Sequence, residues 1–194
     1  MATSTEELAG YLEEAGVRHR INDDGDILTA FKTRQYKDRD GDNAVPIIIH
    51  LEEDGEYLKV FTPVAYSCKD SPHLGLVLQA TLVTSWFTKM VQFEYDQNDG
   101  EIRAIIEFPI EDSGVTKKQL LRCVKGLAQI LDTYDSMIRG AIERGVIELP
   151  AEHQHAREVH EMLAAAGGDR ESVMREFAEF LAARRQRSGL DLED

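Results

Sequence analysis

Two stretches of this 194-residue chain have residue types and spacings that could do metal chemistry. The first is "DRDGDN", in which Asp38, Asp40 and Asp42 alternate as the opening ligands of a calcium loop do. Such a loop needs Gly at its sixth position for the sharp turn and a bidentate Glu at its twelfth. Here the glycine is Gly41, at the fourth, and the twelfth position is Ile49. The stretch therefore reads as a solvated acidic loop. The second is "EHQHAREVH", which holds His153, His155 and His160 with Glu152 and Glu158. Metal-binding histidines on one helical face recur at three or four residues. The spacings here are two, five and seven, so only His153 and His160 could share a face, two turns apart. Surface histidines are the expectation.

Other chemistry has less to stand on. No GxSxG elbow presents a nucleophile, and no Walker or dinucleotide-binding glycine pattern appears. The acidic pairs fall in turns and first helical turns, away from an apolar pocket that would raise a carboxyl pKa for acid catalysis. The expectation is a non-enzyme with no cofactor. The net charge of −14 repels phosphate backbones and anionic membranes, so neither nucleic acid nor a membrane is an expected partner. The basic run "AARRQR" complements a helix C-terminus. Cys68 and Cys123 are far apart and fit a reducing compartment. The start, "MATSTEELAGYLEEAG", lacks a signal layout, and "LGLVLQATLV" is too short to span a bilayer. A cytoplasmic location follows as an expectation.

The elements that must position any site are legible from period and punctuation. Ser4 and Glu7 make a capping-box pattern, followed by a helical stripe Leu8, Tyr11, Leu12, Ala15 that stops at Gly16. Four extended segments follow: "VRHRI", "DILTAFKT", "VPIIIHLEE" and "EYLKVFTPV", the last two joined at Asp54-Gly55. Ser71-Pro72 predicts a helix start, and "HLGLVLQATLVTSWF", apolar on nearly every side, predicts a buried helix. A hairpin, "MVQFEYDQNDGEIRAIIEFPIED", comes next. Thr116 and Gln119 then cap a long helix whose stripe runs Leu120, Val124, Leu127, Leu131, Tyr134, Ile138, Ile142, with Gly145 as its end. After "VIELP" come two further helical patterns split by Gly167-Gly168. This order predicts an α+β fold: an antiparallel β-sheet with helices packed on one face, plus a C-terminal helical extension. The expected division is residues 1–146 and 147–194.

Strand parity then separates two sheet faces. One holds Val45, Ile47, Ile49, Leu51, Leu58 and Val60, with Val91, Phe93, Tyr95, Ile102, Ala104, Ile106 and Phe108, and is the expected core face. The other holds Gln92, Glu94, Arg103 and Glu107, but also Ile48, His50, Tyr57, Phe61, Met90 and Ile105. An apolar strip on an uncovered face means a partner, a dimer mate or a covering element. Ile48, Tyr57, Phe61, Met90 and Ile105 are therefore the expected contact residues. Val173, Phe177 and Leu181 make an amphipathic stripe in the tail that also needs an acceptor, so Phe177 and Leu181 join them. The acceptor could be the same chain, a dimer mate or an unrelated partner.

The stretch from Leu76 to Tyr134 resembles the YbjN-like bacterial family, whose fold is that of type III secretion chaperones. The shared pattern is an apolar helix, a strand with Phe93 and Asp96, the turn Asp99-Gly100, a strand closing on Glu107 and Pro109, and a helix capped by Thr116. The stretch "VPIIIHLEEDGEYLKVFTPV" resembles the family's first strand pair. The resemblance covers roughly residues 5 to 145 and implies a non-enzymatic, polypeptide-binding protein, chaperone-like or a regulatory adaptor, acting as a homodimer. A small-molecule or metal-binding role for the His-containing tail is the alternative.

Overall fold

The computed structural model describes residues 3–151, 153, 175 and 179. Residues 1–148 form one compact unit and residues 149–194 a second. The helical patterns read in the tail, with Phe177 and Leu181, lie outside the described residues, as do His155 and His160.

The first unit is α+β, as the order of segments predicts. Its elements are α1 (Thr5–Glu14), β1 (His19–Ile21), β2 (Ile27–Lys32), β3 (Ala44–Glu52), β4 (Tyr57–Ser67), α2 (Leu74–Phe87), β5 (Gln92–Tyr95), β6 (Glu101–Pro109) and α3 (Lys117–Arg144). The strands form one six-stranded sheet in the order β1-β2-β3-β4-β6-β5, every neighbouring pair antiparallel. β1 and β5 are its edges. Among the described residues no helix is long and apolar enough to cross a membrane.

Local chemistry sets the boundaries. Ser4 Oγ accepts from the Glu7 N–H at the start of α1, and Thr116 and Gln119 form a reciprocal capping box at the start of α3. Gly145 ends α3 in the left-handed conformation. α2 starts two residues later than the Ser-Pro signal suggests. Ser71 does not cap it: its hydroxyl donates to the Ile142 carbonyl and accepts from the His73 N–H, tying the helix entry to the end of α3. At the β3–β4 turn a side chain on Gly55 would meet the Thr3 carbonyl oxygen at 2.1 Å. The turn is closed over the N-terminal segment, and Thr3 reaches on to bond the Val115 N–H.

The core lies between one sheet face and the helices. Ile27, Ile47, Ile49, Leu58, Val60, Ile102, Ala104 and Ile106 point into it from the sheet, and Leu120, Val124, Leu127, Leu131, Tyr134 and Ile138 meet them from α3. Those α3 residues recur at three and four, so one 28-residue helix lays a single stripe along the sheet. β4 is interrupted at Pro63-Val64-Ala65, where the register with β6 shifts. Val64 sits at φ 46°, a costly place for a β-branched residue. The Glu101 carboxylate holds it there by accepting the Val64 N–H at 2.8 Å.

A latch joins the loop after β2 to α3. The Asp132 carboxylate accepts the N–H groups of Arg34, Gln35 and Tyr36 at 2.7–3.1 Å. One turn further along α3, Asp135 accepts the Arg139 Nε–H on both its oxygens, at 3.0 and 3.1 Å. Arg139 also donates to the Lys37 carbonyl at 2.6 Å and lies against the rings of Tyr36 and Tyr66. Those rings meet edge to face at 5.8 Å. Burial pushes both phenol pKa values up.

Candidate functional site

The pairing register brings side chains from all six strands into line on the face turned away from the helices. Arg20 pairs with Leu28, Leu28 with Ile48, Ile48 with Phe61, Phe61 with Ile105, and Ile105 with Gln92. Side chains at paired positions point to the same face. The result is one apolar row, Leu28–Ile48–Phe61–Ile105, with Arg20 at one end and Gln92 at the other. Alternation along each strand generates it: each core residue of β3, and of β4 before its interruption, is flanked by a residue facing the other way.

Ile48 and Phe61 are half-buried members of this row, and Tyr57 is half-buried on the same face two rungs along β4. Leu28 also belongs to the row, placed there by its pairing with Ile48, and the same parity applied to "DILTAFKT" points to it. Ile105 requires a correction. It is in the row but only 2% exposed, so it is not an accessible contact residue. β6 is an inner strand of the sheet, and beside it the Arg103 guanidinium lies 5.1 Å from the Phe61 ring centre. Met90 requires another. It precedes β5 at φ 74° and has no strand partner, so strand parity does not assign it to this face.

Ion pairs border the row. His50 Nδ1 meets Asp26 Oδ1 at 2.5 Å, and Lys59 Nζ meets Glu52 at 2.8 Å. That last bond lowers the Glu52 pKa and raises that of Lys59. Arg103 lies between Glu94 and Glu101. At the β1 end the face opens into a shallow groove of about 570 Å³, whose lining includes Arg18, Arg20, Leu28, Ala30, Pro46 and Pro63. Within the acidic loop, the Asp38 carboxylate accepts the N–H groups of Asp40 and Asp42 and so closes a turn. Among the described residues no cluster of three His, Cys, Asp or Glu is placed to hold a metal ion.

A second surface was not foreseen. α2 is not the fully buried helix that its composition suggests. Its inward face is made of small residues, Val77, Ala80, Thr81 and Thr84. Its outward face presents Leu82 at 71% and Trp86 at 85% exposure, with Phe87 beside them. Met90 and Tyr95, at 45% and 36%, are exposed in the segment that follows. Tyr95 was expected in the core. It is uncovered because β5 is a four-residue edge strand at the margin of the helix layer. The signal was available: small residues three and four apart on one side of α2 mark close approach to a neighbour.

No family model matches the chain, and no curated protein does. Solved structures to which it is similar include YbjN from E. coli, at 13% identity and TM-score 0.49, covering 78% of this chain and 99% of that one. Another is the ExsC–ExsE complex, at 15% identity and TM-score 0.47, covering 74% of this chain and 99% of that one. A third is the HopA1–SchA chaperone–effector complex, at 16% identity and TM-score 0.46, covering 66% and 90%.

Proposed function

We propose that the protein is a non-enzymatic polypeptide-binding module that acts as a homodimer in the cytoplasm. The observation that carries this is the apolar row on the sheet face away from the helices. Isolated surface hydrophobics are ordinary, but three half-buried ones aligned by strand register make a surface for another chain. Phe61 and Ile48 are its accessible centre, with Tyr57 at its side. The test is a peptide array scored for binding by the full-length protein. Peptides with apolar residues should be retained, and Phe61→Glu should abolish retention while the far-UV circular dichroism stays unchanged. An array on which the wild type retains nothing would overturn the reading.

Self-association is assigned to the outward face of α2 with β5. Both lie at one edge of the first unit, so a two-fold axis there brings the same patch of each copy together. A tryptophan side chain offers about 200 Å², and burying it yields about 5 kcal/mol at 25 cal/mol per Å². Two copies of Trp86 and Leu82 give a strong drive, reduced by the entropy of association. Light scattering should give the mass of two chains for the wild type and one for Leu82→Glu/Trp86→Glu. A monomeric wild type, or a variant that remains dimeric, would rule this interface out.

A further inference from the structure

We infer that the segment bound on the sheet face has the pattern aliphatic-x-aliphatic-x-acidic and lies across the strands, its acidic side chain meeting Arg20 and Arg18. This rests on the polypeptide-binding reading and specifies its partner. Three observations lead to it. The first is the register: Phe61, Ile48, Leu28 and Arg20 stand on four consecutive strands in one row. With strands about 4.8 Å apart, Phe61 and Arg20 are about 14 Å apart. An extended chain advances about 3.3 Å per residue and shows every second side chain to the surface below. Residues i, i+2 and i+4 of such a chain therefore span about 13 Å. They reach from the Phe61–Ile48 junction, past Leu28, to Arg20.

The second observation is charge. The chain has 36 acidic and 22 basic residues, yet two arginines stand together at this end of the row. Among the described residues neither is in an ion pair, whereas Lys59, His50 and Arg103, which border the rest of the row, each face a carboxylate. Arg18 and Arg20 are exposed, and Leu28 beside them is half-buried. A carboxylate arriving there meets uncommitted guanidinium groups.

The third is shape. Ala30 and Pro46 pair across β2 and β3 beside the row, and Pro63 follows on β4. All three side chains are short, and they leave the groove open along the path of the segment.

The experiment uses the full chain and fluorescence anisotropy with three labelled peptides of otherwise Ser and Gly. Their cores are Leu-x-Leu-x-Asp, Leu-x-Leu-x-Lys and Ser-x-Ser-x-Asp. The first should bind about tenfold more tightly than the second, and the third should not bind. Arg18→Glu/Arg20→Glu should reverse the order of the first two. Both residues are exposed, so the variant folds, which circular dichroism checks. Equal binding of the two leucine peptides, or an unchanged order in the variant, overturns the acidic preference. The contact surface itself would stand if Phe61→Glu still abolished that binding. If none of the three binds while the array retains other apolar peptides, this pattern is wrong and the module reading survives.

Discussion

Arg139→Ala should destabilise the domain by about 3 kcal/mol, near the lower end of the range for breaking a buried ion pair. Its partner Asp135 is 4% exposed on α3 and would keep its charge without a counter-ion. Arg139 is itself partly exposed, which lets water in when it is removed and holds the loss to that end. The variant also loses the bond to the Lys37 carbonyl and the packing on Tyr36 and Tyr66. Burial already pushes the Asp135 pKa above the ordinary carboxylate value, with Arg139 opposing it. A carboxyl whose folded pKa is raised stabilises the fold less when ionised than when protonated. The loss in Arg139→Ala should therefore be largest at neutral pH and shrink as acid protonates Asp135. Urea unfolding followed by far-UV circular dichroism measures this. Fluorescence is the poorer probe, because Trp86 is exposed on the single chain and would report association as well as unfolding. Asp135→Leu/Arg139→Leu should recover much of the loss, since no charge is then left buried. A loss below about 1 kcal/mol at pH 7 would show that the pair is solvated.

This cluster was invisible in the sequence for a physical reason. Asp132, Asp135 and Arg139 read as the polar side of an amphipathic helix, which is what such residues usually form. Asp135 accepts a hydrogen bond from Tyr66, on a strand, and what employs Asp132 is a loop nearly a hundred residues away in the chain. Pairings of that range depend on topology. By contrast, the elements themselves followed from local signals. The Thr116–Gln119 box, the α3 stripe and the Gly145 stop are short-range patterns, and α3 spans the residues between them.

The candidate surfaces divide in the same way. Ile48 and Phe61 were legible because parity alone tells which way a strand residue points, and their register partners place them side by side. Parity says nothing about what stands over a residue, which is why Ile105 was misjudged. Parity does not extend to Met90, which lies before the start of β5 at φ 74°. α2 shows the complementary error. High apolarity on every side says that each face wants burial. It does not say that this chain supplies it for each face. Val77, Ala80, Thr81 and Thr84 receive it within the fold, and Leu82 and Trp86 do not.

Asp132→Ala should loosen the same latch in a different way, although its cost should likewise fall in acid. Burial alone would raise the Asp132 pKa, but the N–H groups of Gln35, Tyr36 and Arg34 outweigh it and hold the carboxyl below its ordinary value. A carboxylate with a lowered folded pKa stabilises the fold above its unfolded pKa, near 3.9, and loses that contribution as pH falls through the folded value. Asp132→Ala should cost about 2 kcal/mol at pH 7, where three N–H groups lose a charged acceptor. The gap from wild type should close as pH falls through the lowered folded value, where the wild-type carboxyl takes up its proton. Asp132→Asn, which keeps one acceptor oxygen, should fall between. Amide hydrogen exchange should locate the effect at Arg34, Gln35 and Tyr36. The consequence reaches the proposed binding face, since Tyr36, Asp38 and Arg39 line a hollow that shares Pro46 and Pro63 with the groove beside Leu28. A latch on the helix side thus fixes one wall of a hollow beside that face. If exchange at those three amides is as slow in Asp132→Ala as in the wild type, the loop is held by Tyr36 and its bond to the Ala65 carbonyl instead.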